Sequence, residues 1–455
     1  MIRKDYKAIL LSCVVSIYAF PVAATTYYVS STLGRNSYNG QSPGAPFKTI
    51  QKAESVTQPG DTVFVMQGTY HEPWAGAFIL NVTRSGTPAA WITYKAYPGQ
   101  RPLLQYSNSW AAINIKANYI IIDGFEVAGN AQSITYSYAQ SQQYNLSNSL
   151  TNGDGIDIGG SKKGAPVNHV IVVNNLVHDV SGGGINAQYA DYVTIVENVV
   201  YNTSWWSPYG NSGISIHDPH DADTNIAYKN FVFQNAVYNN AEYIPCSCVQ
   251  YQYISDGNGI IIDDNKNTQS NKQPYRGRTL VSGNLSFNNG GAGIQIFSSQ
   301  HVDVLNNTAY MNEQSPDLND GQIFAQVSSD VSIQSNILYG ISGKNVITNQ
   351  GNDNTVTDDY QIFWGSGDVT IPQGSGTGAH DTLADPLLVS PSSNNFQLET
   401  GSPAQGSGNL SYVQGVMSNV NSALSYQNWP SAYAAVIGAF IVNEETSIGP
   451  DRGAY

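Results

Sequence analysis

Charge is scarce in this chain. Asp, Glu, Lys and Arg make up 11% of the 455 residues, and the balance is acidic, −14 overall. So few cations argue against nucleic acid or an anionic membrane as partner. Cysteine is nearly absent: Cys13, Cys246 and Cys248 are the whole supply. That excludes a disulfide scaffold and a cysteine-based metal quartet. A bridge across the C-x-C pair Cys246 and Cys248 would be strained, yet stays open to two exported thiols. No apolar stretch is long enough for a convincing membrane span. With so little charge, the surface must be built from Asn, Ser, Thr, Gln, Gly and Tyr. Such a surface suits stacked strands, where Asn and Ser ladders satisfy one another.

The first 24 residues read as a secretory signal. Arg3, Lys4 and Lys7 precede an apolar stretch over 8–20, and Val22-Ala23-Ala24 is an A-x-A-like cleavage site. Its removal leaves 16 basic against 32 acidic residues, net −16. The mature chain is expected outside the cytoplasm, extracellular or periplasmic, as a monomer.

What is present is a repeat. Gly-Ile pairs recur at Gly155-Ile156, Gly184-Ile185, Gly213-Ile214, Gly259-Ile260 and Gly293-Ile294, in steps of 29, 29, 46 and 34 residues. Between them recur short β-branched stretches around an Asn, among them Asn175, Asn198, Asn235, Asn284, Asn307 and Asn336. A period of this size means stacked units, none able to bury its apolar face alone. Alternation at Ile214/Ile216 and Ile294/Ile296 reads as strand. The fold class expected is all-β: a right-handed parallel β-helix with an N-terminal capping helix around Phe47, Ile50, Ala53 and Val56. Four segments follow: 1–24 signal; 25–92 cap and first coils; 93–340 β-helix with the catalytic groove; 341–455 closing coils. An amphipathic piece is expected at 428–442. Long polar interruptions at 128–153, 240–258 and 264–278 mark where binding lives.

The DTVFVMQGTY run at 61–70, the coil repeats and the closing 379–410 segment resemble exported β-helix proteins acting on polysaccharides. Asn152-Gly153-Asp154-Gly155-Ile156-Asp157 is similar to the N-x-D-G-aromatic-D run of polysaccharide lyase family 9, whose aspartates hold Ca²⁺. Here Gly153 replaces a second Asp and Ile156 the aromatic. Asp218-Pro219-His220-Asp221 resembles a motif of mannuronan C5-epimerases, in which the His and an earlier Tyr move protons. Here Ser215 stands at the Tyr position.

Aligning the coils on glycine puts Asp157, Asn186, Ser215, Ile261 and Gln295 in one outward column. Gly159, Gln188, His217, Asp263 and Phe297 form the next. His217 should then sit beside Asp263, and Asp218 beside Asp264, at the 4.7–4.9 Å typical of neighbouring strands. Carboxylates so close need a shared proton or a cation. Asp218, Asp256, Asp263 and Asp264, with Asn258 and Asn265 nearby, are the expected Ca²⁺ ligands. Basic residues gather at Lys266, Lys272, Arg276 and Arg278. The expected catalytic group is Lys272, His217, His220 and Arg278. Trp205, Trp206, Tyr209, Tyr275 and Arg276 are expected to bind sugar. Together these imply Ca²⁺-assisted β-elimination on an acidic polysaccharide. The open rivals are a glycoside hydrolase using a carboxylate pair such as Asp218 and Asp264, a C5-epimerase, and a non-catalytic carbohydrate-binding protein.

Overall fold

The computed structural model describes residues 23–247, 253–376, 378–435 and 438. The signal segment, apart from Ala23 and Ala24, lies outside the described residues, as do Cys248 and part of the expected 428–442 piece. Cys246 is buried and disulfide-bonded.

Three long parallel sheets, of eleven, nine and eleven strands, carry the chain from Thr26–Val29 to Thr382–Leu383. Each turn of chain gives one strand to each sheet, and every strand pairs with its counterparts one turn earlier and later. This is a parallel β-helix. Its interior is filled by columns of like residues. Ile113, Ile156, Ile185, Ile214, Ile260, Ile294, Ile323 and Ile347 stack in register, each 0% exposed. β-Branched side chains suit this, because their fixed rotamers interlock between coils.

The recurring Asn supplies a second column. Asn175, Asn198, Asn235, Asn284, Asn307 and Asn336 are buried, and each Nδ2 donates to the next Oδ1 at 3.0–3.1 Å, ending on Gln361. The residue before each Asn has positive φ, from Asn174 at 56° to Tyr360 before Gln361 at 59°. A two-residue corner therefore joins the first sheet to the third, its polar groups satisfied coil by coil.

The expected N-terminal helix is short, Ile50–Glu54. Ile50 and Ala53 are buried, and Glu54 accepts hydrogen bonds from Thr83 N and Oγ1. The strands of the sheets already begin at Thr26, inside the segment read as a cap. A longer helix, Leu410–Gln427, stands just before the piece expected to be amphipathic. Its Val413, Val416, Met417, Val420 and Ala423 cover Ile121, Val196, Phe231, Phe233 and Leu280 on the outside of the first sheet. Among the described residues no helix is long and apolar enough to cross a membrane.

Candidate functional site

The nine-stranded sheet forms the floor of the site. Its outward columns pair as the glycine alignment requires: Asp157, Asn186, Ser215, Ile261 and Gln295 in one, Gly159, Gln188, His217, Asp263 and Phe297 in the other. Segments entering these strands make one wall. Gln143 Nε2 donates to Pro245 O, and Tyr209 Oη to Leu146 O. Segments leaving the strands make the other. Lys162 Nζ donates to Gln269 O, and Asn267 Nδ2 to Pro219 O. The interruption at 128–153 and the described part of that at 240–258 belong to the first wall, and the interruption at 264–278 to the second.

Four predicted residues meet where the second wall leaves the floor. His217 Nε2 lies 3.7 Å from Asp263 Oδ2, and His220 Nε2 lies 3.9 Å from Asp218 Oδ1. His217 Nε2, Asp218 Oδ1, His220 Nε2 and Asp263 Oδ1 are all buried without a hydrogen-bond partner. Four such atoms in one place are costly to fold around unless something binds there. Burial, then Asp264 and Asp218, push the Asp263 carboxyl up to about 7. Burial also raises Asp218 and lowers both imidazoles, which are therefore poised neutral.

Tyr189 completes the group. It sits one coil before Asp218, and its ring lies 5.0 Å from that of His220. Burial and Asp218 raise its hydroxyl above the usual phenol range. The alignment column containing Asp218 and Asp264 includes Tyr189, so the signal was present. Lys116 and Lys162 were harder to find. Lys116 Nζ pairs with Asp157 at 3.4 Å, from a coil lacking the Gly-Ile mark. Lys162 adds positive potential at His217, Asp218 and His220.

Other expectations need correction. Arg278 is on the first sheet, held by Asp303 and Asp330 at 2.8 Å each, and does not clamp substrate. Tyr275 is 0% exposed and donates to Asp191 Oδ1 at 2.5 Å, so it is part of the core. Arg276 pairs with Asp221 at 3.0 Å. Trp206 is buried against Ala131, Ile134, Ala139 and Ile244 inside the first wall. Trp205 is half-buried beside it and lines a separate cavity. Tyr209 is exposed but bonded to Leu146 O. Lys272 is exposed on the second wall, where its charge lowers His220.

The four aspartates do not form one calcium cage. Asp264 is buried, with φ 47°, and accepts from Thr268 N, Thr268 Oγ1, Ser298 Oγ and Gln269 N. Those donors fill both oxygens and shape the 264–269 turn. Asp256 precedes the floor strand, its oxygens taken by Ser255 Oγ and Asn258 Nδ2. What remains is Asp218 and Asp263 beside two imidazoles. That set does not fit a cation that takes six to eight oxygens. Among the described residues no group of three or more His, Cys, Asp or Glu is arranged to hold a metal ion. Of the family-9-like run, Asp154 accepts from Gly183 N at 2.7 Å and Asp157 pairs with Lys116 and Asn186.

Residues 27–326 match a family described as "Pel9A-like, right handed beta helix region". Among solved structures, the pectate lyase Pel9A is similar over 86% of this chain and 93% of its own, at 15% identity and a TM-score of 0.53. A lacto-N-biosidase from Eubacterium ramulus is similar over 79% of this chain and 67% of its own, at 15% identity and a TM-score of 0.46. No curated protein sequence matches.

Proposed function

This chain belongs to the Pel9A-like right-handed β-helix family, and from that premise we propose that it is an exported polysaccharide lyase acting on a uronic acid-containing polymer. The observation that carries this reading is the set of four unpartnered atoms on His217, Asp218, His220 and Asp263. Elimination needs a base at C5, a proton for the leaving oxygen, and neutralisation of the C6 carboxylate. The groups at this corner supply each. Asp263, with its carboxyl near 7, and the neutral His217 form the base pair. Tyr189, whose ring lies against that of His220 at 5.0 Å and a 35° tilt, delivers the proton to the leaving oxygen. Lys162 and Lys272, whose charges already act on His220, face the substrate carboxylate. Phe297, half-exposed and paired with Asp263 on the next coil, offers a ring for the neighbouring sugar.

The test is a screen of pectate, alginate and glucuronan for unsaturated uronic products by ultraviolet absorbance, with and without chelator. One polymer should yield such products, and the chelator should leave the yield unchanged. New reducing ends without unsaturation would make the protein a hydrolase. A C5 configurational change without chain scission would make it an epimerase. No product from any polymer would leave a binding protein.

A further inference from the structure

A cavity of ≈ 480 Å³ lies at the opposite corner of the coil, where the chain enters the floor strands. Small-ligand pockets run from about 300 to 1,000 Å³. Trp205 and Tyr243 line it, their rings 5.8 Å apart and inclined at 63°. Asn202, Asn239 and Asn288 stand on successive coils along its side, following the paired residues Tyr201, Tyr238 and Phe287. Each has positive φ, 53–55°, a corner conformation that Asn tolerates.

Glu242 lies beneath. It is 2% exposed, and its Oε2 accepts from Ser255 N at 2.8 Å and Asp256 N at 3.0 Å. Its Oε1 is buried with no partner. A carboxyl held by two amides on one oxygen and bare on the other waits for a polar group. Burial, then Asp256, raises Glu242 well above the carboxylate range. The lining also carries Asp317 and contains neither Lys nor Arg.

The electrostatics separate this cavity from the catalytic corner. Lys162 and Lys272 act on His220, whereas the charged side chains lining the cavity are acidic, and the nearby Lys344 ammonium is taken up by backbone carbonyls, among them Ser315 O at 2.6 Å. A uronate would meet the Asp317 carboxylate and lose its hydration with no lining cation to compensate. A neutral sugar meets rings for its apolar face and amide and carboxyl groups for its hydroxyls. We infer that this cavity is a second carbohydrate site, taking a neutral sugar unit that stacks on Trp205 and Tyr243 and hydrogen-bonds the bare oxygen of Glu242. It does not depend on the reaction assigned to the floor. If both sites act on one polymer, that polymer carries neutral sugars beside its uronates.

The test is ligand-observed saturation-transfer NMR on the mature protein. The probes are methyl glycosides of glucose, galactose, mannose, xylose and rhamnose, with galacturonate as the anionic comparison. At least one neutral glycoside should be saturated more strongly than galacturonate. Trp205→Ala should weaken its binding by about tenfold, the loss expected for one stacking ring, and Glu242→Leu, which removes the bare oxygen, should weaken it by about fivefold in protein shown by its thermal melt to be folded. His220→Ala should leave it intact. Tyr243→Ala, whose ring is 47% exposed, replaces Trp205→Ala should that variant not fold. Silence from every neutral glycoside overturns the assignment. So does a signal that survives Trp205→Ala or Tyr243→Ala and vanishes in His220→Ala.

Discussion

Lys229 Nζ lies 2.7 Å from Asp191 Oδ2, and both side chains are 0% exposed. The same ammonium reaches Asp223 at 3.0 Å and Asp221 at 3.3 Å. Lys229 owes this position to a register shift between Tyr228 and Asn230, where the strand bulges against its neighbour. Asp191 in turn accepts from Ala222 N and Tyr275 Oη. One buried cation thus ties the 218–223 turn, with Asp218 and His220, to the core. Removing it leaves several carboxylates uncompensated. Lys229→Met is expected to cost about 3–5 kcal/mol, read from denaturant unfolding. A loss below about 1 kcal/mol would contradict the pairing.

Asp263 is expected to set the pH dependence of activity. A base with its carboxyl near 7 is ionised only above that value, so the rate should climb as pH rises through about 7. Asp263→Asn should lower kcat by about 10²–10⁴-fold. A profile already flat from pH 5 upward would remove Asp263 from the base role.

Tyr189 and Arg278 make a contrasting pair. Tyr189→Phe keeps the ring contact with His220 but loses the proton, so kcat should fall by about 10²-fold or more with little change in melting temperature. Arg278→Ala should do the reverse, because its guanidinium holds Asp303 and Asp330 on another sheet. Steady-state kinetics paired with thermal melts checks both.

Stability should fall as pH rises. Asp256 and Asp263 are raised to about 7 and Glu313 to about 8, each first by burial. Between the ordinary carboxylate value of about 4 and these values, the folded chain holds protons that the unfolded chain has released. Folding is then favoured on the acid side, and the advantage is lost through about pH 4–8. The melting temperature should be higher at pH 5 than at pH 8, and Asp263→Asn should flatten that slope.

The Asn ladder should be intolerant of interruption. Asn235 Nδ2 donates to Asn284 Oδ1 and Ile195 O, both at 3.0 Å. Asn235→Leu leaves buried partners on two coils unsatisfied, at about 1–3 kcal/mol for each group. A chemical melt matching wild type would contradict this.

Much of the site was legible because registry in a stacked sheet is arithmetic. Once the glycines were aligned, the pairing of His217 with Asp263 followed from strand spacing. The same arithmetic places Tyr189 in the column of Asp218 and Asp264, five residues after its glycine. Arg278, Tyr275 and Asp264 were misread for a common reason. Each lies within 15 residues after Asp263 in sequence, but the chain turns corners over that stretch. Arg278 passes to the next sheet, Tyr275 turns inward to Asp191, and Asp264 folds back on Thr268 and Gln269.

Period, β-branching and the repeated Asn by themselves determined the stack and which floor residues share a column, because strand geometry has a fixed side-chain period and neighbouring coils a fixed rise. Only the tertiary structure decided which polar side chains were left bare. Hydrogen bonds across the walls join residues tens of positions apart, and loop paths have no period from which such partners can be counted. Asp263 and His220 kept unmet atoms, Asp264 lost its own to a turn, and Trp205 came to a cavity at the other end of the strand.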